Sequence, residues 1–230
     1  MKDDRSQGKR YRKAAKQVDP EKRYALPEAV AVLQSLEPAK FDETVDVAVR
    51  LGIDPKKTDQ LVRGAVSLPR GLGRSVRVVV FAEGEAAAGA REAGADLVGS
   101  EDLSKKVLGG WTDFDVAIAH PDQMKVVGRL GKILGPQGKM PSPKSGTVTP
   151  DVAQAVREFK AGKVEFRTDA GGNVHAPVGK RSFPAEHLVE NVTALLDHLR
   201  AMRPAAVKGV FFTKVVLSSS MSPAVLVDVA

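Results

Sequence analysis

Val76-Arg77-Val78-Val79-Val80-Phe81-Ala82 is apolar at every position but Arg77. A strand covered on one face alternates apolar and polar residues, because successive side chains point to opposite sides. A continuous apolar run belongs to a strand covered on both faces, the habit of parallel sheets. Outward toward the C-terminus, helix and strand patterns then alternate with short links. The expected elements are a helix from Glu85 to Ala93, a short strand at Leu97-Val98, a helix near Leu103 to Leu108 and a strand at Val116 to Ala119. A helix from Asp122 and another from Asp151 to Ala161, closed by Gly162, complete the stretch. This alternation predicts βαβ units.

On either side of this middle the pattern changes. Thr44 to Leu51 puts Val45, Val47, Val49 and Leu51 on one face and Asp46, Ala48 and Arg50 on the other, a half-buried antiparallel-type strand. Val164-Glu165-Phe166-Arg167 alternates as well and leads through Asp169-Ala170-Gly171-Gly172-Asn173 into Val174 to Val178, which predicts a hairpin. Phe211 to Leu217 and Ala224 to Val229 form a last pair around Ser218-Ser219-Ser220-Met221-Ser222-Pro223. From Pro184 to Met202 a helical stripe repeats at Leu188, Val189, Val192, Leu195, Leu196, Leu199 and Met202, with Pro204 past its end. The fold class is thus mixed α/β and α+β in two domains. A discontinuous outer α+β domain with an antiparallel sheet takes residues 1–70 and 160–230, and a Rossmann-like α/β domain, 71–159, is inserted in it. Two chain crossings would confine motion to opening and closing, with Pro69, Gly71 and Gly162 as the hinge.

Charge points to an anionic partner. The 230 residues carry a net charge of +7. The excess lies at the ends: residues 1–24 carry +5 and residues 160–230 carry +3, whereas 71–159 balance at zero. Within that balanced stretch, residues 121–150 place Lys125, Arg129, Lys132, Lys139 and Lys144 against the single acid Asp122. There is no cysteine, so disulfides and thiolate metal sites are excluded. Met1 to Lys16 lacks the apolar core of a signal peptide, and no run approaches the roughly 18 apolar residues of a membrane span. The expectation is a soluble, cytoplasmic protein with no membrane partner.

Enzyme motifs are missing. Gly-Lys occurs five times but never precedes Ser or Thr, so there is no phosphate-binding P-loop. Glu83-Gly84-Glu85 after the buried strand lacks the dinucleotide fingerprint, and no Gly-x-Ser-x-Gly elbow exists. His187 and His198 lie on one helix without a third ligand, which reads as a surface pair rather than a metal site. No cofactor or metal is expected. One glycine-rich stretch, Gly128 to Lys144, sets Gly128, Gly131, Gly135 and Gly138 among basic residues. It reads either as a mobile surface loop or as a loop whose amides and cations approach phosphates. With eleven aromatic residues, most of them needed in the core, extensive base stacking is not expected. An RNA partner would be met through shape, phosphates and 2′-hydroxyls. The run Ser218 to Ser222 fits that role, or is an ordinary serine-rich turn.

Several longer motifs resemble the bacterial ribosomal protein L-one family. They are Lys40-Phe41-Asp42-Glu43-Thr44-Val45, Leu51-Gly52-Ile53-Asp54-Pro55 and Val66-Ser67-Leu68-Pro69 in the first part of the chain. Further on come Ile133-Leu134-Gly135-Pro136-x-Gly138, Pro141-x-Pro143-Lys144-x-Gly146-Thr147-Val148 and His175-Ala176-Pro177-Val178-Gly179-Lys180. The resemblance runs from about Gly8 to the end. It implies a non-catalytic monomer within the ribosome that binds large-subunit rRNA at the mobile stalk and assists movement and release of exit-site tRNA. It also implies a repressor that binds its own operon mRNA. Carried over residue by residue, it assigns rRNA binding to Lys40, Phe41 and Thr44, to Arg167, His175, Gly179 and Lys180, and to Ser220, Met221 and Ser222. Arg129, Lys132, Lys139 and Lys144 would form a second surface facing RNA or tRNA. The family's Thr-Met-Gly-Pro is here Ser220-Met221-Ser222-Pro223, so a side chain stands where glycine let backbone meet RNA. The competing reading is an α/β enzyme with Gly128 to Lys144 as an anion cradle. It requires an acid/base pair or metal set beside that stretch.

Overall fold

The computed structural model describes residues 8–228. Residues 1–7 of the basic arm, and Val229 of the expected last strand, lie outside the described residues. The elements begin with α1 (Lys9–Ala15), α2 (Leu26–Ser35), β1 (Thr44–Leu51) and β2 (Arg63–Ser67). Next come β3 (Val78–Phe81), α3 (Gly84–Glu92), β4 (Leu97–Gly99), α4 (Glu101–Leu108) and β5 (Val116–Ala119). After these run α5 (Met124–Gly128), α6 (Gly131–Leu134), α7 (Val152–Ala161), β6 (Lys163–Arg167) and β7 (Asn173–Lys180). The last are α8 (Ala185–Ala201), β8 (Phe212–Ser219) and β9 (Val225–Val227). Two compact units result, one running to Gly73 and resuming at Phe166, the other Arg74–Glu165.

The first unit is built on a four-stranded sheet in the order β7-β1-β8-β9, with antiparallel neighbours throughout. Its inward face is the one the alternation of β1 marks out. Val45, Val47, Val49 and Leu51, with Val174, Ala176 and Val178 of β7 and Val215 and Leu217 of β8, are all nearly free of solvent. α2 and α8 pack together over this sheet, α8 through Leu188, Val192, Leu195, Leu196 and Leu199, all buried. Pro27 sits in the first turn of α2, where its missing N–H costs nothing.

The hairpin expected between Val164 and Val178 is a turn without a ladder. Asp169 closes it, its carboxylate accepting the Gly171 and Asn173 amides at 2.8 and 2.7 Å, and one bridge joins Thr168 to Val174. Beyond that bridge the arms part. β7 stands at the edge of the sheet beside β1, and β6 instead pairs with β2. Gly64 in β2 makes room for this: a Cβ there would lie 2.9 Å from Met202 Cε and 3.3 Å from the ring of Phe166.

The second unit has the parallel sheet that Val76 to Ala82 announced, in the order β4-β3-β5. All four residues of β3 are buried. On one face Val79, Phe81, Ala117 and Ala119 meet Leu103 and Val107 of α4, Val127 of α5 and Leu134 of α6. α3 and α7 pack from the other side. Asp151 caps α7 by accepting the Gln154 amide at 3.0 Å, and Gly162 ends it in the left-handed conformation, φ 114°. The fold is thus mixed, with an antiparallel and a parallel sheet in separate units.

Asn191 is the buried polar residue of α8, with no exposed surface. Its side chain accepts the Arg70 amide at 3.0 Å and donates to the carbonyls of Gly71 at 3.0 Å and Val178 at 2.7 Å. It therefore ties the chain after β2 and the end of β7 to one helix. Asn191→Ala is expected to cost about 2–3 kcal/mol of unfolding free energy, the scale of buried backbone groups left without partners. A urea titration showing a loss below about 0.5 kcal/mol would refute that role.

Candidate nucleic-acid interface

The strand registers bring three chain ends to one edge of the sheet. Thr44 at the start of β1 pairs with Lys180 at the end of β7, and Val45 pairs with Ser219 at the end of β8. The segment before β1 and the turn after β8 therefore meet, although Thr44 and Ser220 are 176 positions apart in sequence.

Glu43 joins them from below. It shares the parity of Val45 and Val47, so its side chain points inward, where it is 1% exposed. Its carboxylate accepts the Ser219 hydroxyl, the Ala39 amide at 2.6 Å and the Met221 amide at 3.4 Å. Arg181 Nη1 stands 3.7 Å away, with no hydrogen bond of its own, while Nη2 donates to the carbonyls of Gln34, at 3.1 Å, and Leu36 at the end of α2. Burial alone would raise the Glu43 pKa, but the Ser219 hydroxyl, the two amides and the Arg181 charge outweigh it and hold the carboxyl below its ordinary value. Glu43 is therefore an anion clasping both segments.

Above this clasp the surface is small and mixed. Thr44 N–H donates to Ser220 Oγ at 3.2 Å and Ser220 N–H donates to Thr44 O at 3.0 Å. Lys180 Nζ donates to Thr44 Oγ1 at 2.9 Å, and Ser182 Oγ donates to Asp42 Oδ2 at 2.8 Å. Phe41, 56% exposed, and Met221, 52% exposed, stand out of this lattice, with Lys40 exposed beside Phe41 in sequence. Ser222 completes the turn, its hydroxyl accepting the Ser219 amide at 2.9 Å and donating to Pro223 O at 3.0 Å. Among the described residues no residue other than glycine has positive φ, so a side chain at 222 is accommodated without left-handed strain. A flat ring, a thioether and cations on a rigid base suit contact with a base or ribose edge next to phosphates.

The structure thus gathers Phe41, Thr44, Lys180, Ser220, Met221 and Ser222 of the expected site. Gly179 is buried: its absent Cβ would stand 3.0 Å from Leu188 and Phe183, so its part is to let the core close beneath Lys180. His175 lies midway along β7 opposite Ala48, with a well-exposed imidazole 3.6 Å from Asp169. Arg167 is exposed where the 169–173 turn begins, at the far end of β1. Glu43 and Arg181 were not among the site residues expected from the sequence, and Ser219 entered only as a member of the serine run, not as the partner of a buried acid. The signal was present in Glu43, an acid at an inward position of an alternating strand.

The glycine-rich stretch departs from both expectations. Its first half is neither a loop nor a cradle: Gly128 ends α5, Gly131 begins α6, and Leu130 and Leu134 are fully buried. Leucines at these spacings bury a short helical face that four glycines obscured. Lys139 is engaged internally, donating to Thr112 O at 2.8 Å and lying 5.0 Å from the centre of the Phe114 ring. Arg129, Lys132 and Lys144 are exposed to solvent. His187 and His198 pack edge-on against separate rings, Phe183 and Phe166. Among the described residues no cluster of His, Asp and Glu could hold a metal ion.

Known proteins share this pattern over most of the chain. The model of the ribosomal protein L1p/L10e family matches residues 33–223. The large ribosomal subunit protein uL1 of Kosmotoga olearia is 52% identical over 220 residues, 96% of this chain and 95% of that protein.

The Glu43 carboxyl has a depressed pKa in the folded chain, so its contribution is present above its ordinary value of 4.5 and is lost as pH falls below it. Stability measured by denaturant titration is expected to rise with pH through the region just below 4.5. In Glu43→Gln that slope becomes shallower. An unchanged slope would show that the carboxylate is not the clasp.

Proposed function

Because the chain belongs to the ribosomal protein L1p/L10e family, we propose that it is a non-catalytic structural protein of the large ribosomal subunit. In this reading it binds the rRNA of the mobile stalk, as a monomer within the cytoplasmic ribosome and without a cofactor. The observation that carries the proposal is the strand-end cluster: Phe41 and Met221 exposed over a buried, fully tied Glu43. An exposed apolar pair held that rigidly loses little entropy on docking. The cluster also supplies Lys40 and Lys180 for phosphates.

The same reading gives the second unit the exit-site tRNA, met by Arg129, Lys132 and Lys144 and assisted in its movement and release. Pro69, Gly71 and Gly162 serve as the hinge, close to where the chain passes between the units. Asn191 refines this, since it already fixes the Arg70 amide and the Gly71 carbonyl to α8. A structure in the chain's own operon mRNA resembling the rRNA site would occupy the same cluster, making the protein a repressor of its own translation. The enzyme reading loses part of the anion cradle it relied on, because Gly131–Leu134 is a short helix with Leu134 buried beside Leu130.

Phe41→Ala is expected to weaken binding to a stalk fragment of large-subunit rRNA by about 1–3 kcal/mol, the scale of a lost aromatic contact with a base. Its melting temperature should hardly change, because the ring is 56% exposed. The double change Arg129→Ala and Lys132→Ala should leave that affinity within about twofold, as expected of phosphate-facing residues outside the interface. Equal losses in both variants would overturn the division of labour.

A further inference from the structure

The sheet of the first unit has an outward face that the strand-end cluster uses only at one end. Along β1, β7 and β8 this face carries Thr44, Asp46, Ala48 and Arg50, then Asn173, His175, Pro177 and Lys180, then Lys214, Val216 and Ser218. Asp46 is the sole acid among them. At the far end Arg50 and Lys214 are direct partners in the antiparallel ladder, both exposed. Side chains so paired share a face with backbones about 5 Å apart, and like charges placed there repel. Lys214 also lines a surface cleft of about 230 Å³ with Arg23, Phe212, Thr213 and Leu226.

Arg70 meets Glu190 at 2.5 Å and Arg181 meets Glu43 at 3.7 Å, whereas among the described residues Arg23, Arg50 and Lys214 make no ion pair. The fold thus holds a like-charge ladder pair and a third cation in the open, at a cost that an anion would relieve. Arg50 lies six residue steps along β1 from Thr44, about 20 Å of extended chain. No single nucleotide touches both ends over that distance, but a continuous sugar-phosphate backbone does.

We propose that Arg23, Arg50 and Lys214 form a second phosphate-contact site, which holds the backbone of the bound rRNA at the end of the open sheet face opposite the Phe41–Met221 cluster. This rests on the rRNA-binding reading above. In that arrangement the cluster supplies contact with bases and riboses, and the cation set contributes affinity without sequence preference, because phosphates are the same in every sequence.

The test is binding of the full chain to the rRNA stalk fragment, and to bulk tRNA, across a salt series. Arg23→Gln, Arg50→Gln and Lys214→Gln together are expected to lower the magnitude of the log–log salt slope by about 2, at roughly 0.7–0.9 for each phosphate no longer neutralised. Affinity at low salt should fall by about tenfold or more. Phe41→Ala should lower affinity with the slope unchanged. The melting temperature of the RNA-free triple variant should stay level or rise, since a repulsive pair is removed. Retained preference for the fragment with an unaltered slope overturns this inference alone. A wild-type chain that does not prefer the fragment to bulk tRNA overturns the reading beneath it.

Discussion

A buried carboxylate organises the first unit's working edge. Taking Glu43 out of water is expensive, and an anion at that depth survives only with donors on all sides. The donors come from far apart in the chain: the Ala39 amide, the Ser219 hydroxyl, the Met221 amide and the Arg181 guanidinium. The cost of burial is thereby converted into a constraint. The segment before β1, the end of β7 and the turn after β8 are all held to the same oxygen atoms. Apolar residues in place of a buried ion pair often match its stability. They would not fix the positions of two separate backbone segments, because dispersion has no direction.

That constraint explains why Phe41 and Met221 can remain exposed. Large apolar side chains in water are usually tolerated singly and carry no meaning. Here each is attached to backbone that is locked within two residues of Glu43 or by a direct bond to it. The hydroxyls around them are spent on structure: Ser220 on Thr44, Ser222 on Ser219 and Pro223. Ser222 turns its hydroxyl back into the turn, closing it from inside. The protein thus keeps the shape of the turn by a side-chain bond where a bare backbone would have left the amide of Ser219 to find another acceptor.

How much of this was legible in the sequence follows from the range of each interaction. The parity of Thr44 to Leu51 and the unbroken run Val76 to Ala82 reveal sheet type directly, because both depend only on which faces are covered. The stripe of α8 was legible for the same reason. The hairpin was misjudged because a turn specifies its own residues but not the next neighbour of each arm. β6 went to β2 because Gly64 leaves room for Phe166, a match between residues about 100 positions apart. The stretch from Gly128 misled in the opposite way: glycine propensity argued for a loop, and burial of Leu130 and Leu134 overrode it.

The candidate site shows the same division between local and distant information. Phe41, Met221 and the serine turn are expected from resemblance to a family, and the geometry gives them a common platform. The platform itself was missed, since Glu43, Arg181 and Ser219 gain their meaning only from one another. Their type was still informative. An acid at an inward position, followed along the chain by a serine at an inward position of β8, is the pattern of a buried anion with its donor. Parity identifies such residues before any contact is known. What parity cannot supply is register, and it is the register Val45 to Ser219 that sets the hydroxyl against the carboxylate. One residue of slip would turn Ser219 to solvent and leave Glu43 buried without its closest donor, so the pairing that makes the sheet also decides whether the edge can exist.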